Sequence, residues 1–534
     1  MGKRYTRTTR RVRNYGYGDA GASGTRRAFK QFRSISGSPH QDIDRHNSTL
    51  RSRARSLYMS APMATSAIKS LRTSVVGPGL YLHAQVDGKY LGLTKEETTT
   101  LNNEIEAEFE LWAGNKRSAS VTGLSDFYEL QQIAIMAWKT SGDVFCLFEQ
   151  GKPDWLHPYS LRLRLIEADR VSTPGTSNVI PYLTFGMNKT TGNKIFDGVE
   201  VDRYGQVVAY HIRNVYPQEI SVDEPEWIRV EAVGKRTLLP NILHIMEAER
   251  PEQYRGVTCL APVIENILQL GRYLNAEEAA SLLETCLTIF VKTDVDSDGV
   301  PLRMPTEAMS EETEQSEDDR DPADYELVPG GNVAFLRPGE DITSVDPKRP
   351  STAFDGFVTS VAKQIGAALE IPVDVLVKSF NSSYSASRAA LQDYWRKVKN
   401  DRISFAGSFN APVYEVFLSE AIARGRILAP GFFSDARIRA AYLNHEWNGP
   451  AMTHLDPEKE ARAMKIMVEN GWKTNTQATT ELTGGDYLKN IEQLASETPA
   501  IVPILAMLAD AVAAKKEESS SQQSEKEDIN SEEQ

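Results

Sequence analysis

The feature that most constrains this 534-residue sequence is a pair of long helical patterns flanking a strongly acidic segment. Apolar side chains recur every three or four residues over 262–289 and over 351–370, and Pro372 ends the second pattern. Between them, residues 305–326 hold ten carboxylates and one basic residue, Arg320. A segment this charged cannot bury a core. The pattern predicts two long helices joined by an exposed, mobile acidic loop.

The rest of the chain alternates between helical and strand patterns. The length indicates two to four structural units. Before the first long helix, helices are predicted at 50–76 (with a break at Pro62), 95–112 and 126–140, and strands at 144–150, 161–168, 198–202, 206–213 and 227–233. Tyr204-Gly205 has the composition of a hairpin turn. After the second long helix, helices are predicted at 385–425 (kinked or divided at Pro412), 457–470 and 487–496. These patterns predict an α+β fold with a largely antiparallel sheet.

Charge is distributed unevenly along the chain. The net charge of −13 argues against a tight DNA binder, because such affinity comes from neutralising phosphates, but it does not exclude a protein through which DNA passes. Residues 1–55 hold fourteen Lys and Arg against three acids and read as a flexible basic arm. This arm is either a solvated terminus without a partner or a contact for acidic protein surfaces or nucleic acid. The polar tail 515–534 is predicted to be disordered.

Nothing in the sequence indicates an enzyme, a metal site, a cofactor or a membrane span. It contains no phosphate-binding GxxxxGK[ST], no GxSxG and no HExxH. Residues 294–299 look like the opening of a calcium loop, but position twelve is Pro305 rather than an acid. Cys146, Cys259 and Cys286 are expected to be reduced thiols. The start has no apolar signal region, and the apolar stretch 500–514 is too short to cross a bilayer, so we expect an intracellular protein or part of a particle assembled inside a cell.

One segment leaves two interpretations open. Residues 384–399 interleave aromatic and basic side chains, which could stack on and neutralise single-stranded nucleic acid. A helix with one apolar face (Leu391, Trp395, Val398) and one basic face (Arg388, Lys397, Lys399) explains the same pattern equally well.

Several motifs, in this order along the chain, resemble the lambda-type portal proteins of tailed bacteriophages. The strongest block is Ile365–Pro372 followed by Ser382–Ala390. The C-terminal piece Leu455–Ala461 with Glu469–Trp472 is equally typical. The other matching motifs are Arg53–Leu57 with Ala67–Ile68 and Val75–Leu80, Glu167–Val171, Gly198–Glu200 with Val208–Ile212, and Ile242–Ile245 with Tyr254–Val257 and Pro262. Together they cover roughly residues 45–500.

The resemblance implies a portal fold assembled as a twelve-subunit ring, with a mixed α/β wing, a long α-helical stem, a small clip and a helical crown. It implies the following layout: basic N-terminal arm 1–44, wing 45–260, stem helix 261–289, clip 290–350, stem helix 351–372, tunnel loop 373–387, long helix and wing/crown connection 388–449, crown 450–514 and acidic tail 515–534.

The resemblance also implies a function and partners. The ring would sit at one capsid vertex of the virion, form the channel for double-stranded DNA in packaging and ejection, and nucleate procapsid assembly in the host cytoplasm. Expected partners are further copies of the chain, the major capsid protein and scaffold, the terminase large subunit, head–tail connector proteins and non-specifically held DNA. Channel candidates are Lys363, Lys378, Asn381 and Ser382, and clip candidates for partner binding are Glu311, Glu312, Glu314, Glu317, Asp318 and Asp319.

Three other classes of protein compete with this interpretation. An α/β enzyme would need a catalytic constellation, and none is found. A capsid-shell or head-completion protein would not show this pair of long helices around an Ile-Pro block. A nucleic-acid-binding regulator is opposed by the net charge and by the lack of a recognition motif.

Overall fold

The computed structural model describes residues 36–175, 184–217, 224–285, 289–293, 340–344, 354–380, 383–452 and 457–499, with a few positions before 36 and Glu219. It has an α+β architecture. Within these ranges, no helix combines the length and apolar character needed to cross a membrane.

Six helices occupy the first part of the chain. They are α1 Arg45–Ser60, α2 Pro62–Val75, α3 Gly88–Leu91, α4 Lys95–Ala113, α5 Lys116–Ala119 and α6 Phe127–Ser141. The predicted break at Pro62 is confirmed, because this proline opens α2, where its missing N–H leaves no hydrogen bond unmade. Reciprocal capping pairs, Thr94 with Glu97 and Asp126 with Glu129, fix the starts of α4 and α6.

The strands form four antiparallel sheets. They are β1 Tyr81–Ala84, β2 Asp143–Gln150, β3 Leu161–Glu167, β4 Phe185–Met187, β5 Lys194–Phe196, β6 Val199–Val201, β7 Val207–Arg213, β8 Trp227–Glu231, β9 Ile242–Met246, β10 Ile289–Thr293, β11 Glu340–Ser344 and β12 His445–Asn448. The sheet orders are β3-β2-β9, β4-β5-β6-β7-β8, β1-β12 and β10-β11. The five predicted strands are confirmed, and Gly205 makes the predicted turn with a positive φ of 86°.

The remaining helices follow the second sheet. They are α7 Ile264–Thr285, α8 Phe354–Leu369, α9 Val373–Val377, α10 Tyr384–Phe405, α11 Ala411–Ala423, α12 Ala436–Tyr442, α13 Pro457–Glu469 and α14 Asn475–Thr483, with a further helical stretch over 487–499. The first long helix is shorter than predicted: it ends at Thr285, and Ile289 already belongs to β10. Helix α1 begins at Arg45, five residues before the predicted start. The predicted 385–425 helix is divided near Pro412: a wider turn at Ala406–Asn410 separates α10 from α11, and Pro412 lies in the first turn of α11, where its missing N–H leaves no hydrogen bond unmade.

An aromatic cluster forms the centre of the main core, which α2, α4, α6, α10 and α11 build against the three-stranded sheet. The Phe109 ring is buried, and its centroid lies 5.1–6.1 Å from those of Phe417, Trp112, Phe127, Trp447 and Tyr414. Trp112 also donates its indole N–H to the Leu161 carbonyl at 3.0 Å. Aromatic rings from the early part of the chain (Phe109, Trp112, Phe127) therefore pack against rings from its later part (Tyr414, Phe417, Trp447) and stabilise their association.

A smaller core lies between the two larger sheets, around Phe145, Ile166 and Tyr210. Beside it, the fully buried Arg255 donates to Asp143 at 2.6 Å and to Asp197 at 2.8 Å, and it also donates to the carbonyls of Val171 and Ala168. Burial opposes ionisation of Asp143, but the Arg255 and Arg51 guanidinium groups outweigh it and hold the pKa of Asp143 well below its usual range.

A close backbone approach makes this ion pair possible. Gly142 has a φ of +92°, and a Cβ there would lie 2.6–2.7 Å from backbone atoms of Gly256 and Val257. A Cβ on Gly256 would in turn lie 1.9 Å from the Gly142 carbonyl oxygen. Glycine is therefore required at both positions for the backbone at Gly142 to contact the backbone at Gly256 and Val257. This contact places Arg255 beside Asp143.

Candidate functional site

The candidate site is the region of the two long helices and the segment that follows them. Helices α7 and α8 pack through aromatic rings near the start of α8: the Tyr273 ring lies 4.6 Å from Phe357 and 5.9 Å from Phe354, centroid to centroid. Strands β10 and β11, which lie between these helices in the sequence, pair with each other in antiparallel fashion. The described residues thus show two helices in contact and a strand pair between them in the sequence.

A tight turn ends α8 and explains the Ile365–Pro372 block. The Ile371 N–H donates to the Gly366 carbonyl at 2.8 Å, and Glu370 takes a left-handed φ of 54°. A Cβ on Gly366 would lie 2.5 Å from the Ile371 carbonyl oxygen. Glycine at 366 is therefore required for the chain to fold back on α8, and Pro372 then opens α9.

Lys378 lies directly after α9, in the predicted tunnel-loop segment. Its φ is 59°, its backbone caps α9, and its ammonium group donates to the Ser70 hydroxyl of α2 at 2.8 Å. Nearby, the Ser66 hydroxyl donates to the Leu376 carbonyl at 2.6 Å. The side chain remains exposed, and since an ammonium has three donors, two stay available. The structure thus anchors this lysine to α2 without burying it.

The other predicted site residues fall into two groups. Lys363 is exposed on α8, on the solvent side of the buried Ala362 and Ile365. Asn381, Ser382 and the acidic clip candidates Glu311, Glu312, Glu314, Glu317, Asp318 and Asp319 lie outside the described residues. The predicted tunnel loop 373–387 contains α9 at its start and the first turn of α10 at its end.

Helix α10 anchors this region to α2 and resolves the two interpretations of residues 384–399 in favour of the amphipathic helix. The Tyr394 hydroxyl is buried and donates to Ser74 at 3.1 Å, Val398 is buried, and Trp395 packs against the main core. Arg402 donates to the carbonyls of Val75, Ser74 and Pro450. These aromatic rings are therefore used for packing rather than offered for stacking.

Two thiols can be placed. Cys146 and Cys259 are free, as predicted, and burial raises the pKa of the Cys259 thiol to about 11. Such thiols are protonated and unreactive at neutral pH. Cys286 lies outside the described residues, as does the calcium-like stretch 294–299.

One polar cluster was missed by the sequence analysis. His83 of β1, Glu106 of α4 and Asp486 bring nitrogen and carboxylate oxygens within 4.8 Å of one another. The Glu106 carboxylate accepts a hydrogen bond from the His83 Nδ1 atom, and this bond raises the pKa of the imidazole. No sequence signal could have found the cluster, because its members lie 23 and 380 positions apart and follow no ligand spacing.

The comparisons with known proteins agree on the class of the protein. The helix pair and the turn at Gly366 lie within the stretch, residues 25–402, that is matched by a family model described as phage portal protein, lambda family. The chain therefore belongs to the lambda family of phage portal proteins. Portal proteins are structural components of the virion rather than enzymes.

Individual relatives carry the same name. The chain is 22% identical to portal protein B of Escherichia phage lambda over 84% of its own length and 82% of that protein. It is 20% identical to the portal protein of Escherichia phage N15, over 84% of this chain and 83% of that protein. It is 23% identical to a probable portal protein of Halomonas phage phiHAP-1, over 82% of this chain and 77% of that protein.

Similar solved structures come from gene transfer agent particles. The neck of the native particle, computed with C12 symmetry, matches with a TM-score of 0.40 and 14% identity, over 82% of this chain and 93% of the other. The virion of the native particle matches with a TM-score of 0.37 and 14% identity, over 84% of this chain and 95% of the other.

Proposed function

We propose that twelve copies of this chain form a closed ring at one vertex of a phage capsid, and that double-stranded DNA passes through the ring during packaging and ejection. Family membership supports this function. In the ring, residues 45–260 form the wing, 261–289 and 351–372 the stem, 290–350 the clip, 373–387 the tunnel loop and 450–514 the crown. Contacts between different faces of neighbouring subunits close such a ring when their rotation brings the last copy back to the first.

The single observation that favours assembly is the exposed apolar surface of the C-terminal helices. Helix α13 has no buried residue. Exposed apolar side chains continue through this part of the chain, at Ile466, Trp472 (72% exposed), Leu488, Ile491 and Leu494. Monomeric proteins rarely leave so many large apolar groups in water within one segment. A neighbouring subunit of the ring is the occupant we propose for this surface.

The variant Trp472→Glu tests this assignment. We expect it to weaken each subunit contact by about 2 kcal/mol, because a tryptophan buried at an interface would be replaced by a desolvated charge. The fraction of chains in rings, read by native mass measurement, should fall sharply, while the folded subunit keeps its stability.

The matched control is Gln493→Glu, which adds the same charge at an exposed polar position of the same C-terminal segment. It should leave the rings intact. Rings that survive Trp472→Glu as well as they survive Gln493→Glu would show that this surface is not the subunit contact.

The channel is proposed to touch DNA sparsely. A protein of net charge −13 does not clamp phosphates strongly, which suits a duplex that must slide. Lys378 and Lys363, both exposed, and Asn381 and Ser382 are the residues we propose for transient phosphate contacts.

Replacing Lys378 with alanine should reduce the DNA retained in filled capsids severalfold, because a ring would lose one positive charge per subunit facing the duplex. DNA protected from nuclease in assembled particles measures this. The control Ser70→Ala removes the hydrogen bond that anchors the ammonium but keeps the charge. If wild-type and Lys378→Ala particles retain the same amount of DNA, Lys378 does not contact DNA in the channel.

The clip is proposed as the docking surface for partners. The acidic residues Glu311, Glu312, Glu314, Glu317, Asp318 and Asp319 would attract basic surfaces of the terminase large subunit and then of the head–tail connector proteins. Wing and arm surfaces would face the major capsid protein and scaffold, so that the ring nucleates the procapsid in the host cytoplasm. Deleting 305–326 tests the clip assignment: unchanged terminase and connector binding would reject it.

A further inference from the structure

The cluster of His83, Glu106 and Asp486 brings one imidazole nitrogen and two carboxylate oxygens close enough together to share one ion. The His83 Nδ1 atom lies 3.0 Å from a Glu106 oxygen and 3.5 Å from an Asp486 oxygen. Two ligands of a tetrahedral ion with bonds of about 2.1 Å lie roughly 3.4 Å apart, and two neighbouring ligands of an octahedral ion roughly 3.0 Å apart. The two distances from His83 therefore match the ligand-to-ligand edges of a first-row divalent ion, and all three ligand atoms lie within 4.8 Å of one another.

The surroundings favour a cation. The three residues line a cavity of about 870 Å³, whose wall also carries Asp87, Glu110 and Glu492. Among the residues that the structure describes, Lys489 is the one lysine or arginine that lines this cavity. Five carboxylates facing one ammonium and one imidazole leave an excess of negative charge, which a divalent ion would offset. The cavity also has room for the water that completes an open coordination sphere.

The ligands are already oriented. The Ala84 N–H donates to one oxygen of Glu106 at 3.1 Å, and the Lys489 ammonium donates to the other at 2.8 Å. These two hydrogen bonds hold the carboxylate of Glu106 with its first oxygen beside the imidazole of His83.

We propose that His83, Glu106 and Asp486 bind one divalent ion of the zinc class, with water as the remaining ligand. An imidazole with two carboxylates selects this class over Mg²⁺ and Ca²⁺, which take oxygen ligands. The ion connects residues from β1 and α4 to the residue that precedes the 487–499 helical stretch. Its consequence is structural: it fastens this C-terminal stretch to the first part of the chain.

The experiment uses the full chain, freed of metal with a chelator and titrated with Zn²⁺ by calorimetry at pH 8. We expect one ion per chain, and an affinity about 100-fold weaker in His83→Ala and in Asp486→Asn. The control His46→Ala removes an exposed histidine outside the cluster and should bind as wild type does. A tenfold excess of Mg²⁺ should not displace the ion.

Hydrogen exchange provides a second measurement, which does not depend on the calorimetric signal. Zn²⁺ should slow amide exchange over 487–499 in wild type and not in Asp486→Asn, whose exposed segment can change without unfolding the core. Absence of Zn²⁺ binding, or binding that both cluster variants retain, would overturn the proposal. Binding without protection of 487–499 would overturn the fastening role.

Discussion

Replacing Arg255 with alanine is expected to lower the free energy of unfolding by about 3–5 kcal/mol, the cost of leaving a buried charge without its partner. Asp143 is fully buried, and Arg255 supplies its shortest ion pair at 2.6 Å. Arg51 stays 3.4 Å away and compensates only in part. The carbonyls of Val171 and Ala168 lose their donor as well. Urea unfolding followed by circular dichroism measures the change.

The control for this variant is Lys116→Ala, which breaks the exposed ion pair with Glu129. Exposed ion pairs of this kind contribute little to stability because water and salt screen them, so the control should unfold almost as wild type does. If the free energy of unfolding falls by the same amount in both variants, the buried ion pair of Arg255 does not stabilise the packing of the two larger sheets.

Replacing Phe109 with alanine should cost a similar amount, about 3–5 kcal/mol, because it opens a cavity at the centre of the aromatic cluster. The surrounding rings come from α4, α6, α11 and β12 and cannot collapse together into the gap. Thermal unfolding of the two variants Phe109→Ala and Leu124→Ala gives a direct comparison. Leu124 is 75% exposed, so its loss should change stability by no more than about 0.5 kcal/mol. Comparable losses in the two variants would contradict the assigned core.

The local patterns of the sequence predicted most of the helices and the longer strands. Helix α6 begins at a capping residue and repeats its apolar side chains with the helical period, and β7 is a run rich in β-branched and aromatic residues that follows the turn at Gly205. The short strands β4 and β5, of three residues each, are too brief for a period to be visible. Strand pairing between distant parts of the sequence could not be predicted either. Tyr81 of β1 pairs with Asn448 of β12, and no local sequence feature indicates such a contact.

In the candidate site, too, local features could be predicted from the sequence, whereas contacts between distant residues could not. The Ile365–Pro372 block could be recognised from sequence, and the contact between Gly366 and Ile371 explains its composition. Lys378 could be singled out as a basic residue in the expected loop, but its anchoring to Ser70 joins positions 308 residues apart. The buried pair of Asp143 and Arg255 was invisible for the same reason, since only the touching glycines at 142 and 256 bring it together.

The central claim is that the chain assembles into a closed ring, and the most direct test is the native mass of the purified protein together with electron-microscope class averages. Twelve subunits of 59.4 kDa give about 710 kDa. The account predicts closed rings with a central hole near this mass; one subunit more or fewer in a recombinant ring would still support it. A stable monomer or dimer under all conditions would contradict it.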